Sequence, residues 1–274
     1  MTKQRVLITV KTYPTLSKKY TELVCTAGFK EDGSWIRIYP SPFRFLEDTK
    51  RYKKYQWIEL DINKNPKDKR PESYRPCNID NINLGNEIGT GSNWAERKKL
   101  ILEKNIIHTN LKNIIEAAHN NEYSLVIFKP AEILDFVIEK SSEDWELNKK
   151  EAAQEALKQG SLFDDISNRK DFKLVPKLPY KFSYKFKDDS GKESKLMIED
   201  WEIGQLYWNC FKKYRDKNIA VIKVKEKYLN DFAYTKDIHL FLGTTYKQHF
   251  KKSKNPYVII GVFAPPYIKQ LELF

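Results

Sequence analysis

The chain has 274 residues, and 49 Lys and Arg against 37 Asp and Glu give it a formal net charge of +12. Its content of 41% hydrophobic and 14% aromatic residues is enough to bury one or two cores, which excludes a disordered chain. Three cysteines without a CxxC pair argue against a disulfide framework and against a cysteine-based zinc site.

The first third of the chain is rich in strand-like sequence. Apolar residues alternate over residues 5–11 with the period of two of a half-buried strand. Residues 21–29 and 35–39 are predicted to form a hairpin, because a Gly-containing turn separates them. A fourth strand is predicted at residues 55–62. Residues 63–93 contain several Asn, Pro and Gly and are expected to form a long irregular connection.

The middle of the chain is mostly helix-like. Its apolar spacing predicts one or two helices over residues 93–119, followed by a short apolar strand at residues 125–128. Residues 133–138 fit a strand or a helix, and their β-branched content favours the strand. A helix is expected over residues 143–158, and the polar segment 161–173 is the best linker candidate.

The final third returns to strand-like, aromatic sequence. Tyr and Phe alternate with Lys and Ser over residues 180–187, and a turn leads to a further strand at residues 194–198. A helix is predicted over residues 201–214. Residues 219–232 fit a helical stripe, although their β-branched residues also suit a strand, and we predict a helix. The closing strands are predicted at residues 238–242 and 257–263.

Charge follows the same division of the chain. Residues 1–92 carry 17 basic and 11 acidic side chains, residues 93–172 carry 12 and 15, and residues 173–274 carry 20 and 11. We predict an N-terminal basic β-rich module at 1–92 and a helical, acidic connector at 93–172 with strands near 125–138. A C-terminal basic β-rich module with one or two helices is predicted at 173–274. The fold class is α+β, with two β-rich modules that are small barrels rather than sandwiches.

The sequence lacks the local motifs of the common enzyme classes. No GxxxxGK[ST], GxGxxG, HExxH or GxSxG motif is present, and the four His are scattered. Acidic residues form no recognisable catalytic spacing. We therefore predict no catalytic residue, no metal site and no cofactor, and a binding protein rather than an enzyme.

Basic residues interleaved with aromatic residues favour nucleic acid as the partner. Aromatic faces stack on unpaired bases, while Lys and Arg follow the phosphate backbone. The candidate phosphate-binding residues are Lys11, Lys18, Lys19, Arg37, Arg44, Arg70, Arg75, Lys247 and Lys251. The candidate stacking residues are Tyr13, Trp35 and Tyr39. The alternative for each ring is a place in the core, and for each Lys cluster a solvated rim.

Several segments, spread over almost the whole chain, combine into a recognisable pattern. They are VLITVKTYP at 6–14, ELVCTAG at 22–28, WIRIYP at 35–40 with FR at 43–44, KDKRPES at 67–73, FLGTT at 241–245 and NPYVIIGVF at 255–263. Together they resemble a family of bacterial proteins that carry a dual OB-containing domain. The resemblance implies two small OB-like barrels, nucleic-acid binding and a setting in bacterial antiviral defence or mobile-element biology. It implies no catalytic residue.

These observations predict sequence-tolerant binding of DNA or RNA, with single strands preferred over duplex. Two other classes remain open. One is a metal-dependent or nucleotide-processing enzyme with its site near residues 68–75, and the other is a protein–protein adaptor of a multi-component system. No apolar run reaches the roughly 18 residues of a membrane span, and the first residues lack a signal core. We expect a cytoplasmic protein without a membrane partner.

Overall fold

A computed structural model describes residues 2–17, 21–41, 43–78, 81–158 and 173–267 of the chain. The strands are β1 (Thr2–Lys11), β2 (Thr15–Ser17), β3 (Thr21–Lys30), β4 (Trp35–Ser41), β5 (Gln56–Lys64), β6 (Ser73–Pro76), β7 (Asn83–Glu87), β8 (Ile107–His108), β9 (Leu125–Phe128), β10 (Glu132–Lys140), β11 (Tyr180–Lys187), β12 (Glu193–Met197), β13 (His239–Thr244) and β14 (Tyr257–Phe263). The helices are α1 (Gly91–Lys98), α2 (Leu111–His119), α3 (Leu147–Lys158), α4 (Trp201–Tyr214), α5 (Lys217–Lys225) and α6 (Tyr246–Phe250). Two π-helical segments, Lys99–Glu103 and Glu226–Ala233, extend α1 and α5, and two 3-10 turns, Phe43–Phe45 and Asp48–Lys50, follow β4.

The N-terminal module is a closed five-stranded barrel. Its strands pair in the order β1-β3-β4-β6-β5, and β5 returns to β1 to complete the ring. Neighbouring strands of the ring are antiparallel except for β4 and β6, which are parallel. Outside the ring, β2 extends β3 and β7 extends β5. Closure removes the exposed edges that an open sheet would present.

Strand β1 has apolar residues on both faces because both faces are buried. Val6 and Ile8 belong to the core inside the barrel. Leu7 and Val10 belong to a second core, which includes Phe241 of β13 and lies between the barrel and the C-terminal module. In the pairing of β1 with β3, the register shifts between Ile8 and Val10. The strict alternation of side chains between the two faces of β1 is therefore interrupted there.

The C-terminal module contains two sheets with one main core. One sheet has the order β10-β11-β12 and the other has the order β14-β13-β9-β8. A parallel bridge between Ile198 and Ile259 joins them, so β12, β14 and β13 follow one another across the module. The core between the sheets and helices includes Phe182, Tyr207 and Leu240.

Helix α4 begins where its sequence supplies a cap. The Asp200 side chain accepts a hydrogen bond from the backbone N–H of Glu202, and such a cap satisfies one of the unpaired donors of the first turn. Ile203 and Tyr207 lie four positions apart on the buried face of α4. Helix α5 packs beside α4 and buries Ala220 and Val224.

The prediction of an α+β protein with two β-rich regions and additional helices is confirmed. Closure into a ring is seen among the described strands in the N-terminal module only, where five strands form the barrel. The strands of the predicted connector pair with those of the final third, because β9 pairs with β13 and β10 pairs with β11. Most of the predicted linker at residues 161–173 lies outside the described residues.

One predicted element was wrong. Residues 63–93 were expected to be irregular, yet β6 and β7 both pair with β5. All five residues of β7 are exposed, so that strand has no alternation of apolar and polar residues to recognise. β6 has four residues and ends in Pro76. Pairing with β5, a tertiary contact, defines both strands.

Candidate functional site

A cavity of about 780 Å³ lies between the barrel and the C-terminal module. The barrel side consists of β3, β4, Arg75 of β6, the residues that follow β1, and the segment 65–70 between β5 and β6. The opposite side consists of Glu199 after β12, the end of β13, the start of α6 and the first half of β14. We call this space the intermodule cavity. Its volume lies within the range of about 300–1,000 Å³ that is usual for ligand sites.

Four basic side chains stand in the wall of the intermodule cavity. Arg37 and Arg70 are buried, with 1% and 6% of their surface exposed, whereas Lys67 and Arg75 are exposed. Among the described residues, no carboxylate forms an ion pair with Arg37, Lys67 or Arg75. The mouth of the cavity therefore carries two cations that are available to an anionic ligand.

Arg70 joins the barrel to the C-terminal module. Its Nε and Nη2 donate to the carboxylate of Asp68 at 2.8 and 2.6 Å, and its Nη1 donates to the carbonyl oxygen of Thr244. Ser73 Oγ donates to the same carboxylate at 2.6 Å. Burial would raise the pKa of Asp68, but the hydrogen bonds and charge of Arg70 outweigh it and lower the pKa to about 2. These contacts engage all three nitrogens of the guanidinium with which Arg70 was predicted to bind phosphate.

Arg37 forms the inner part of the wall. Its Nη1 donates to Ser124 Oγ at 2.8 Å, and Ser124 in turn donates through its N–H and Oγ to the two carboxylate oxygens of Glu72, at 2.8 and 2.7 Å. Glu72 thus reaches Arg37 through Ser124. Burial lowers the pKa of Arg37. Arg37, which was predicted to bind phosphate, thus contributes positive charge to the cavity wall from a buried position.

His249 supports the cavity wall from behind. Its Nδ1 lies 3.1 Å from Thr244 Oγ1 and its Nε2 lies 2.8 Å from Asn121 Oδ1. Burial lowers the pKa of His249 to about 4, and the charges of Arg70 and Arg37 act in the same direction. The imidazole is therefore neutral near pH 7, so that one ring nitrogen donates a hydrogen bond and the other accepts one.

The interior of the intermodule cavity is mostly apolar. Leu23 and Cys25 of β3 face it from the barrel, and Val258 and Ile260 of β14 face it from the C-terminal module. Tyr39 is half-buried in the same wall. An apolar interior with a few polar groups is typical of a site for a flat organic ligand.

Tyr13 lies in the cavity wall and is fixed there. Its hydroxyl donates to the carbonyl oxygen of Pro176 and accepts from Trp208 Nε1, both at 2.8 Å. Its ring lies against Gly204 of α4, where an added Cβ would come within 2.2 Å of the ring. Tyr13 was predicted to stack on bases, but only 8% of its surface is exposed.

Glu199 is one of the residues that line the cavity. It is half-buried, and its side chain forms no hydrogen bond or ion pair with a described residue. Burial raises its pKa. No local pattern in the sequence marked Glu199 as part of a site.

Three other predicted residues lie outside the cavity. Lys11 is half-buried, with its Nζ 4.4 Å from the centre of the Phe43 ring, and burial lowers its pKa to about 8. Trp35 packs on Phe29 at 4.0 Å between ring centres. Arg44 donates to both carboxylate oxygens of Glu22, at 2.7 and 2.6 Å. Lys18 and Lys19 lie outside the described residues.

Two exposed rings stand beside the mouth of the cavity. Tyr246, which lines the cavity, and Phe250 are 53% and 43% exposed, and their ring centres are 5.0 Å apart on α6. The guanidinium of Arg70 lies 5.9 Å from the centre of the Tyr246 ring. The predicted residues Lys247 and Lys251 are exposed and adjacent in sequence to these rings. This combination of exposed cations and aromatic faces is the one that stacking and phosphate contacts require.

Two features, a cluster of metal ligands and a membrane-spanning helix, are absent from the described residues. No group of three or more His, Cys, Asp and Glu within the described ranges could hold a metal ion, and the three cysteines are free. No helix in the described part of the chain is long and apolar enough to cross a bilayer.

Two family models match consecutive parts of the chain. Residues 2–103 match a family described as Domain of unknown function (DUF8758), and residues 106–274 match one described as Domain of unknown function (DUF8757). The change from one to the other falls between the π-helical segment after α1 and β8. The search of curated proteins gave no match.

Proposed function

We propose that this chain, which belongs to the family described as Domain of unknown function (DUF8757), binds single-stranded nucleic acid at the intermodule cavity. The binding is tolerant of sequence, because the groups at the cavity mouth are cations and rings rather than a set of donors arranged for one base. The dual OB-containing family, with its bacterial defence or mobile-element setting, stays a prediction from the sequence.

The position of the cavity on the barrel carries this proposal. OB-folds bind oligonucleotides on the face of their second and third strands and on the loops after the first and fourth strands. In this barrel those strands are β3 and β4, and the corresponding connections contain Thr15 and the segment 65–70. All of these parts line the intermodule cavity. The cations and rings at the mouth support nucleic-acid binding independently of the fold.

The test of the proposal is a comparison of single-stranded and duplex oligonucleotides over a range of salt concentrations. We expect the single strand to bind more tightly, and its affinity to fall linearly on a log–log plot of affinity against salt. A double variant, Lys67→Glu with Arg75→Glu, should weaken binding about tenfold per lost contact and lower the salt slope by about one unit each. Affinity should fall equally for unrelated sequences, since both residues contact phosphate.

A matched variant controls for net charge. Lys192→Glu with Lys212→Glu makes the same change of charge at two exposed lysines that do not line the cavity. We expect it to lose far less affinity than the variant at the cavity mouth. Equal losses in the two variants, or no binding by the wild type at low salt, would contradict the proposal.

The rings of α6 give a separate prediction. Replacing both Tyr246 and Phe250 with alanine should weaken single-strand binding by about 1–3 kcal/mol for each base that stacks on them, and should leave the salt slope unchanged. The matched control is Tyr234→Ala, because Tyr234 is 57% exposed and does not line the cavity. Fluorescence anisotropy with a labelled oligonucleotide measures both quantities. A changed salt slope without loss of affinity would assign these rings no stacking role.

A further inference from the structure

The intermodule cavity is covered along both of its sides. The covering strands follow the order β12, β14, β13 across the C-terminal module. After β12, the carbonyl oxygen of Glu199 accepts a hydrogen bond from the backbone N–H of Tyr13 at 2.8 Å. At the end of β13, the carbonyl oxygen of Thr244 accepts from Arg70. Each outer side of the covering strands is thus hydrogen-bonded to the barrel. The C-terminal module therefore covers the cavity, which is not an open groove along the barrel.

The two contacts are reinforced by packing. Phe241 of β13 and Ile260 of β14 share a core with Leu7 and Phe29 of the barrel, and all four are 5% exposed or less. A core of this kind holds the cover in one arrangement, because interiors are close-packed. A long strand therefore cannot be laid onto the barrel face from either of the two bonded sides of the cover.

Polarity changes from the mouth of the cavity to its interior. Lys67 and Arg75 are exposed at the mouth, while Leu23 and Ile260 are buried inside. A nucleotide has the same division, since its base has apolar faces and its phosphate is an anion. The cavity therefore offers an apolar interior that suits a base and a cationic mouth that suits phosphates.

We propose that the intermodule cavity holds the terminal nucleotide of a single strand, which enters base first. The phosphates that follow the terminal nucleotide bind Lys67 and Arg75, and the next bases lie along Tyr246. This inference rests on the proposed function. A strand without an end cannot pass beneath a cover that is bonded on both sides, and the ends of a duplex present paired, stacked bases. The competing geometry is an internal nucleotide that swings out of the strand into the cavity.

The first experiment compares a linear single-stranded oligonucleotide with the covalently closed circle of the same sequence and length. We expect the full-length protein to bind the linear strand about tenfold more tightly or better, because the circle loses every contact inside the cavity. Equal affinities, both reduced by Lys67→Glu with Arg75→Glu, would overturn end-first binding and leave the proposed function intact. Absence of binding to either molecule would overturn the proposed function and this inference with it.

The second experiment tests whether the bound strand reaches the interior of the cavity. Cys25 is a free, half-buried thiol in the cavity wall, whereas Cys77 is a free, exposed thiol that does not line it. We expect the linear strand to slow alkylation of Cys25 severalfold or more while Cys77 reacts at an unchanged rate, as measured by mass spectrometry of peptides. The circle should protect neither thiol. Equal protection of Cys25 by the circle would assign the cavity to an internal nucleotide instead of a strand end.

Discussion

Replacing Lys54 with methionine should lower the free energy of unfolding by roughly 3–5 kcal/mol at pH 7, since it removes one partner of a buried ion pair. The Nζ of Lys54 lies 3.3 Å from Asp200 Oδ2 and 2.8 Å from Glu202 Oε2. The side chains of Lys54 and Asp200 are only 6% and 1% exposed. The pair links the segment before β5 of the barrel to the cap of α4, so its loss affects both modules.

The stability deficit of this variant should depend on pH. Burial would lower the pKa of Lys54, but the charges of Asp200 and Glu202 outweigh it and raise that pKa. Burial raises the pKa of Asp200 to about 6 against the opposing effect of Lys54. A carboxyl whose pKa is raised on folding contributes a stability that is fully present below the unfolded pKa of about 3.9. That stability is lost as pH rises through the folded pKa. Ionised Asp200 therefore costs stability at pH 7 even with Lys54 beside it, and it costs more once Lys54 is removed.

Below pH 6 Asp200 of the folded wild type becomes protonated, as it does in the variant. The ion pair between Lys54 and Asp200 is then lost in the wild type too. The difference between wild type and Lys54→Met should therefore shrink as pH falls from 7 to 5, in urea unfolding at each pH. The matched control is Lys53→Met, since Lys53 pairs with Glu87 but its side chain is 70% exposed. Exposed pairs contribute about 0–1 kcal/mol. Equal losses in the two variants would show that burial of the Lys54 pair has no such effect.

Hydrophobic alternation predicted the strands well because it is a local property of the sequence. The strand at residues 257–263 and the helix at residues 201–214 have the predicted bounds, since each has a clear period and a clear stop. β7 has neither, because all its residues are exposed and it is defined by pairing with β5. Local patterns therefore located strands and helices of both β-rich regions but missed the strands that depend on tertiary pairing.

The intermodule cavity could not be read from local patterns, because distant segments form it. Trp35, Arg37 and Tyr39 alternate as the exposed face of a strand would, yet the second module covers that face. Arg37 consequently bonds to Ser124, 87 positions away, and Arg70 bonds to Thr244, 174 positions away. The basic–aromatic pattern around Lys247 did locate an exposed surface, since α6 buries little beyond His249. Patterns of charge indicate candidate residues, and packing decides which of them reach solvent.

Protonation of His249 should lower the free energy of unfolding of the wild type by about 3 kcal/mol as pH falls from 6.5 to 4. Each unit by which folding lowers a pKa corresponds to about 1.4 kcal/mol. The residue is 2% exposed, and its pKa of about 4 lies below the unfolded value. A histidine whose pKa is lowered on folding contributes a stability that is present above pH 6.5. That stability is lost as pH falls towards the folded pKa of about 4. Arg70 and Arg37 add to this shift, and Glu72 and Asp68 oppose it.

His249→Gln should remove most of this pH dependence. An amide can still donate to Asn121 and accept from Thr244, but it takes up no proton in this range. The control is His119→Gln, because His119 contacts the carbonyl oxygen of Ser253 from a different position and should leave the acid loss in place. Urea unfolding at pH 7, 6, 5 and 4 measures all three proteins. Since Thr244 also accepts from Arg70 at the side of the cavity, a parallel acid loss in His249→Gln would mean that another group in this contact titrates first.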